Sequence, residues 1–291
     1  MNMKTGFVGL GAMGLGMARN LWHAGLLAGV WNRTPEKARK FATETGTAAW
    51  ADLAEMATAC DVIVLCVSAD TDVLEVIGAL APALRPESTV IDCSTVGVAT
   101  ACRAAELVRQ AGGDFLDAPV SGGVEGARNG TLALMIGGKT ETVAKVQPVL
   151  AAMGSRIMHM GDTGAGQATK AVNQVMCAGI NQAVTEALAF GQALGLELDK
   201  VIEVVSSGAA GNWFLDKRGK TMIRGSFQPG FKLALHHKDL NICLEMADRL
   251  GIPLPLSGRT RDEYAELMAQ GYGDDDISAL FRLKSEAMPN G

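Results

Sequence analysis

In the first part of the chain, short continuous apolar runs alternate with segments whose apolar residues recur at helical spacing. The runs occupy residues 4–8, a stretch ending at Val30-Trp31, and then 61–66, 89–92, 114–117, 132–136 and 156–160. Short β-branched strands separated by helical segments predict a parallel sheet covered by helices on both faces. This pattern assigns residues 1–162 to a first domain. Strand signals then stop. Residues 168–194 are apolar or small on nearly every helical face, which predicts a helix of about residues 167–194, buried all round. At about 1.5 Å rise per residue it would span roughly 40 Å, enough to link two domains. Residues 199–206, 240–250 and 254–270 also read as helices, so residues 163–291 are expected to form an all-α domain. The acidic run Asp274-Asp275-Asp276 reads as a solvated, helix-capping turn.

The first strand runs directly into Gly9-Leu10-Gly11-Ala12-Met13-Gly14, a GxGxxG in the strand-to-helix setting that a dinucleotide requires. Gly9 permits the tight turn, Gly11 lets the backbone approach a pyrophosphate, and Gly14 lets the helix pack closely on the strand. The helix N-terminus then supplies amides and a favourable dipole for the phosphates. The fold class expected is therefore α/β, a Rossmann-type doubly wound sheet domain followed by an all-α C-terminal domain, joined by a long interdomain helix. Where an acidic residue would hold the ribose 2′-hydroxyl of NAD, the second strand ends instead in Asn32-Arg33-Thr34. Arg33 can pair with a 2′-phosphate and stack on the adenine, with Asn32 and Thr34 adding neutral donors. The expected cofactor is NADP. Thr34 also suits the N-cap of the next helix, with Pro35 at its first position.

Hydrophobic residues make up 48% of the 291 and charged residues 20%, the balance of an ordinary soluble globule. A net charge of −5 without a basic run argues against nucleic acid or an anionic membrane as partner. Six cysteines without CxxC pairing fit free thiols in a reducing cytoplasm. The four histidines lack metal-ligand spacing, so no metal site is expected. The chain enters its first strand within a few residues, and no signal, transit or membrane-spanning segment is expected ahead of it. The apolar second domain is expected to build a homodimer or homotetramer.

Two segments could carry chemistry. Asp117-Ala118-Pro119-Val120-Ser121-Gly122-Gly123 follows a strand end, where ligands of open α/β sheets collect. Its backbone amides and the Ser121 hydroxyl could hold a small carboxylate; the same glycines could equally serve a plain turn. On the long helix, Lys170 and Asn173 are three positions apart and share a face, with Gln174 beside them. A lysine desolvated by Ala168, Ala171 and Val172 gives up its proton more readily, which suits exchange with a hydroxyl or carbonyl. The alternative is a lysine that snorkels to solvent.

Taken together, these segments resemble the β-hydroxyacid dehydrogenase family over essentially the whole chain. The marks are Phe7 to Gly14 continuing through Met17-Ala18-Arg19-Asn20-Leu21, the segment from Asp117 to Gly123, Gly164-Ala165-Gly166-Gln167 through Lys170-Ala171-Val172-Asn173, and Lys238-Asp239-Leu240. The resemblance implies an NADP-dependent oxidoreductase that interconverts a short β-hydroxy acid and its semialdehyde, with Lys170 as catalytic acid/base. It further implies that Ser121, Gly122 and Gly123 hold the substrate carboxylate with Asn173. Val67, Ser68 and Thr95 then lie near the nicotinamide half of the cofactor, and Phe231 and Lys238 close over it. Trp213 and Phe214 fall where members differ in substrate contacts, or serve as core aromatics. Imine reductases share the first-domain pattern but usually lack the lysine. A non-catalytic dinucleotide-binding assembly module would replace it.

Overall fold

A computed structural model describes residues 3–286 and divides into two compact units, Met1–Lys170 and Ala171–Gly291. The first is built on a nine-stranded sheet: β1 (Thr5–Val8), β2 (Leu27–Trp31), β3 (Ala48–Ala49), β4 (Val62–Leu65), β5 (Thr89–Asp92), β6 (Asp114–Asp117), β7 (Val120–Ser121), β8 (Leu132–Gly137) and β9 (Gly154–Gly161), in the order β3-β2-β1-β4-β5-β6-β8-β7 with β9 paired to β8. All of β1, β4 and β5 is buried, the physical reason these strands read as mainly apolar runs without alternation. Successive side chains still point to opposite faces. Phe7, Val62, Val64 and Ile91 join one core layer, and Val8, Ile63, Leu65 and Val90 the other.

The sheet is not parallel throughout. Strands β1 to β6 run parallel, but β8 is antiparallel to both β6 and β7. After β6 the chain adds the two-residue β7, turns through the helix Gly123–Asn129 and returns in the opposite sense as β8. Hydrophobic periodicity encodes burial and not strand direction, so the reversal left no trace in the pattern.

In the second unit the helices Leu198–Ser206, Trp213–Met222, Leu233–Leu250, Pro255–Ala269 and Leu280–Glu286 enclose a core that includes Ala178, Leu188, Phe214, Leu233, Leu240, Tyr264 and Phe281. The helix Ala165–Ala193 crosses the division, and the expectation that it is buried all round is corrected. Val172, Met176, Ile180, Phe190 and Leu194 are between 40% and 67% exposed, with Ala183 and Ala187 exposed between them. Its buried face carries Gln174, Asn181, Gln182 and Thr185. Their donors have partners: Asn181 donates to the Tyr264 hydroxyl and the Ile277 carbonyl, and Gln182 to Thr260 and Glu263, whereas Asn181 Oδ1 and Gln182 Oε1 have none among the described residues. Buried polar side chains with bonded partners displace the usual amphipathic order.

The acidic run is also more than a solvated turn. Asp274 is exposed and pairs with Lys232, whereas Asp276 is 1% exposed. Its carboxylate accepts from Gly230, Phe231 and Ser278 amides and pairs with Arg218. Among the described residues, no helix is long and apolar enough to cross a membrane.

Candidate functional site

Because β2, β1, β4, β5 and β6 are parallel neighbours, the segments leaving their C-terminal ends gather along one edge, where open α/β sheets bind ligands. That edge carries the turn from Gly9 to Gly14, Asn32-Arg33-Thr34, Val67 and Ser68, Thr95, and the start of the segment from Asp117 to Gly123.

The first turn has the shape a dinucleotide needs. Gly9 has φ +99°, and a Cβ there would overlap the Cys66 carbonyl. A Cβ on Gly14 would overlap the Gly9 carbonyl and stand 3.1 Å from the Phe7 ring, so the helix Gly14–His23 approaches β1 only without a side chain. A Cβ on Gly11, by contrast, would meet nothing within 4 Å. That is open space where a pyrophosphate could approach the backbone. The helix carries no side-chain cap and no acidic residue in its first turn, which suits an anion at its amides. Leu10 and Met13 flank the turn partly or fully buried, and Ala12 is exposed.

Asn32 braces this turn: its Oδ1 accepts from the Leu10 amide at 2.8 Å, and its Nδ2 donates to the Thr34 carbonyl at 3.0 Å. Thr34 stands at the N-cap of the helix Pro35–Thr45 without a side-chain cap bond. Arg33 is 77% exposed, and its Nη1 lies 2.8 Å from Oδ1 of Asp72. Asp72, from the first turn of the helix Asp70–Leu80, lies outside the sequence expectations. A guanidinium with five donors can hold that carboxylate and a phosphate together.

Lys170 is buried at 7% exposure, which removes the snorkelling alternative. The helix that carries it is anchored by Asp117, whose Oδ1 accepts from the Gly164 amide at 2.8 Å and whose Oδ2 accepts from the Gln167 amide at 2.9 Å. Gln167 in turn accepts from the Val96 amide at 3.2 Å and donates to the Ser94 carbonyl at 2.8 Å. The Ser94 hydroxyl accepts from the Val67 amide at 2.9 Å. Ser121 ends β7, paired with Ala133 of β8, and Gly122 and Gly123 follow with φ of 131° and 64°. Side chains rarely adopt such backbone values, so this chain path requires both glycines.

Sequence reasoning did not single out Asp92 and Ser94, and named Asp117 and Gln167 only as members of their segments, with no role of their own. Their one signal was a carboxylate closing each of β5 and β6. Asp92 is fully buried; Oδ1 accepts from the Ser94 amide, and Oδ2 has no hydrogen-bond partner. Burial, reinforced by Asp117 and Asp70, pushes its carboxyl up to about 6. A carboxyl raised above its unfolded value binds more protons in the folded state, so its contribution to stability falls as pH rises from about 4 to about 6. Relative to Asp92→Asn, the wild type should gain about 1–2 kcal/mol when pH drops from 7.5 to 5. Denaturant unfolding at both pH values checks this; a difference independent of pH would mean that Asp92 does not titrate in that window.

Within the second unit, Asn173 donates to Gln174 Oε1 at 2.7 Å, and Gln174 donates to Asp239 Oδ2 at 2.7 Å. Lys238 pairs with Asp239 at 3.0 Å, and Phe231 packs 5.4 Å from the His236 ring. Trp213 is 58% exposed with Arg218 over its ring, which corrects its reading as a core aromatic; Phe214 does belong to the core.

Residues 4–161 match the family model of the NAD binding domain of 6-phosphogluconate dehydrogenase, and residues 164–284 match that of the NAD-binding of NADP-dependent 3-hydroxyisobutyrate dehydrogenase. The chain is 36% identical over 282 residues to 2-hydroxy-3-oxopropionate reductase of Escherichia coli, covering 96% of each. It is 32% identical over 288 residues to 2-(hydroxymethyl)glutarate dehydrogenase of Eubacterium barkeri, covering 97% of this chain and 95% of the relative. A solved structure of Mycobacterium tuberculosis 3-hydroxyisobutyrate dehydrogenase with L-serine superposes with a TM-score of 0.88 at 32% identity, covering 97% of this chain and 99% of the other.

Proposed function

Because the chain belongs to the β-hydroxyacid dehydrogenase family of NAD(P)-dependent oxidoreductases, we propose that it interconverts a short β-hydroxy acid and its semialdehyde, using NADP in preference to NAD. The observation that carries this reading is the buried Lys170, on a helix whose first turn is bonded to the chain just beyond β5 and to the end of β6. The bound nicotinamide supplies or accepts the hydride. Lys170 moves the proton: as an ammonium it polarises the aldehyde oxygen and protonates it, and as an amine it takes the proton back from the alcohol. In the first unit, Ser121, Gly122 and Gly123 are assigned to the carboxylate, the turn from Gly9 to Gly14 to the pyrophosphate, and Val67, Ser68 and Thr95 to the nicotinamide half. In the second, the family resemblance assigns Asn173 and Trp213 to the substrate and Phe231 and Lys238 to the cofactor. L-serine, found with the Mycobacterium tuberculosis relative, has the same spacing of carboxylate and hydroxyl. A panel of carboxylate semialdehydes and hydroxy acids assayed with both nicotinamides tests the reading.

Cofactor preference rests on Arg33, with no carboxylate among Asn32-Arg33-Thr34 at the end of β2. A charge-assisted bond to a 2′-phosphate contributes about 1.5–3 kcal/mol, so kcat/KM should favour NADPH over NADH by at least about tenfold. Arg33→Ala should abolish the difference. Equal use of both cofactors by the wild type would overturn the assignment.

The reading also makes this protein a cytoplasmic homo-oligomer, a compartment that fits its six free cysteines. The apolar stripe along the long helix, with Leu194 just past its last residue, is self-complementary: Val172 and Leu194 lie eleven positions either side of Ala183, and Met176 and Phe190 seven. Two antiparallel copies would set large side chains against large at both ends and alanine against alanine at a close crossing, the isologous contact of a two-fold dimer. Light scattering should give at least twice the chain mass, and Met176→Lys with Phe190→Lys should reduce it to one chain with helicity retained. A monomeric wild type contradicts the oligomer, and an unchanged double variant removes the stripe from the interface.

A further inference from the structure

We propose that Gln167 is a positioning residue that holds the Thr95 turn and Lys170 in register, so that proton and hydride reach one carbonyl group together. The inference rests on the acid/base reading of Lys170. Hydride addition to the carbonyl carbon and protonation of its oxygen need two donors held beside adjacent atoms, and a misplacement of about 1 Å can cost on the order of a hundredfold in rate. In sequence the two parts are far apart. Thr95 lies on the turn after β5, on the sheet edge that carries the Gly-rich turn, and Lys170 lies on the long helix.

One side chain joins them. The Gln167 amide is 1% exposed and brackets Thr95 from both sides, donating to the carbonyl of Ser94 and accepting from the amide of Val96. Lys170 follows three positions later, on the same helix face. The backbone of Gln167 is itself fixed by the Asp117 carboxylate. That approach requires Gly166, where a Cβ would stand 2.6 Å from the Asp117 carbonyl oxygen and 2.8 Å from its Oδ2. Ser94 extends the connection to Val67 through its hydroxyl. The bracket needs one donor and one acceptor on a single planar group. Glutamine supplies both, ionised glutamate loses the donor, and methionine loses both while filling similar space.

The test measures the single-turnover rate of NADPH oxidation at saturating carboxylate semialdehyde, with NADPH binding and thermal unfolding recorded for each variant. Gln167→Met should bind NADPH within about threefold of wild type, while its single-turnover rate falls by about 10- to 100-fold. Gln167→Glu should be slow at pH 8 and recover relative to wild type as pH falls, since a protonated carboxyl restores the donor to Ser94. Combined with Lys170→Ala, Gln167→Met should add less than about threefold, because residues acting as a unit are not additive. A Gln167→Met rate within threefold of wild type, at any melting temperature, overturns the proposal and leaves Gln167 a structural bond. Full additivity with Lys170→Ala overturns it too, since Gln167 would then act independently of the lysine. If Gln167→Met does not fold, the pH response of Gln167→Glu decides, and a flat ratio to wild type is a refutation. Normal turnover by Lys170→Ala alone would instead remove the acid/base reading, an outcome separable from the others.

Discussion

Lys170→Ala is expected to fold and bind NADPH yet lose about 10²- to 10⁴-fold in kcat, the contribution of a positioned acid/base. The large effect follows from burial. At 7% exposure bulk water has poor access to replace the missing proton donor. Lys170→Arg should fail as well, because a guanidinium keeps its proton near neutral pH. Nucleotide titration and a melting curve separate loss of chemistry from loss of fold. Near-normal turnover in either variant would send the proton by another route.

A β-hydroxy acid should react far better than its methyl ester. A site whose donors are arranged around a carboxylate leaves them unpaired when that charge is removed, at about 1–3 kcal/mol for each buried donor. With two such donors the ester should lose roughly 30-fold or more in kcat/KM. Ser121→Ala should narrow the gap by lowering the rate on the acid alone. Gly122 and Gly123, with their positive φ values, are poorer targets, because any side chain there strains the backbone before it touches a ligand. Equal rates on acid and ester would remove the carboxylate from recognition.

The extent to which these features could be read from sequence follows from how each leaves its mark. The GxGxxG turn was legible residue by residue, since each glycine answers to a separate steric demand, and the space around Gly9, Gly11 and Gly14 fits those demands. Strand β4 was legible because burial on both faces makes it continuously apolar, and β1, β5 and β6 because each carries an apolar pair within a short run. The antiparallel β8 was not, because direction has no periodicity. The long helix was legible in extent but not in exposure: large apolar residues such as Val172, Met176 and Phe190 lie on an exposed face, while the buried Gln174, Asn181 and Gln182 donate to groups far away in sequence and Thr185 to carbonyls of its own helix. The role of Gln167 was hidden, though the residue stands in a family mark, since its partners Ser94 and Val96 are more than seventy positions away. Lys170 stood out as a charge in an apolar helix.

The proposed reaction passes a hydride from a nicotinamide to the carbonyl carbon of a small carboxylate semialdehyde. Wild-type enzyme incubated with NADPH dideuterated at C4 and a series of such semialdehydes, with product read by mass spectrometry, tests it most directly. One deuterium is expected on the carbinol carbon of at least one β-hydroxy acid product, and almost none when Lys170→Ala replaces the wild type. Deuterium transfer to a cyclic imine, with none to any carboxylate semialdehyde, would contradict it.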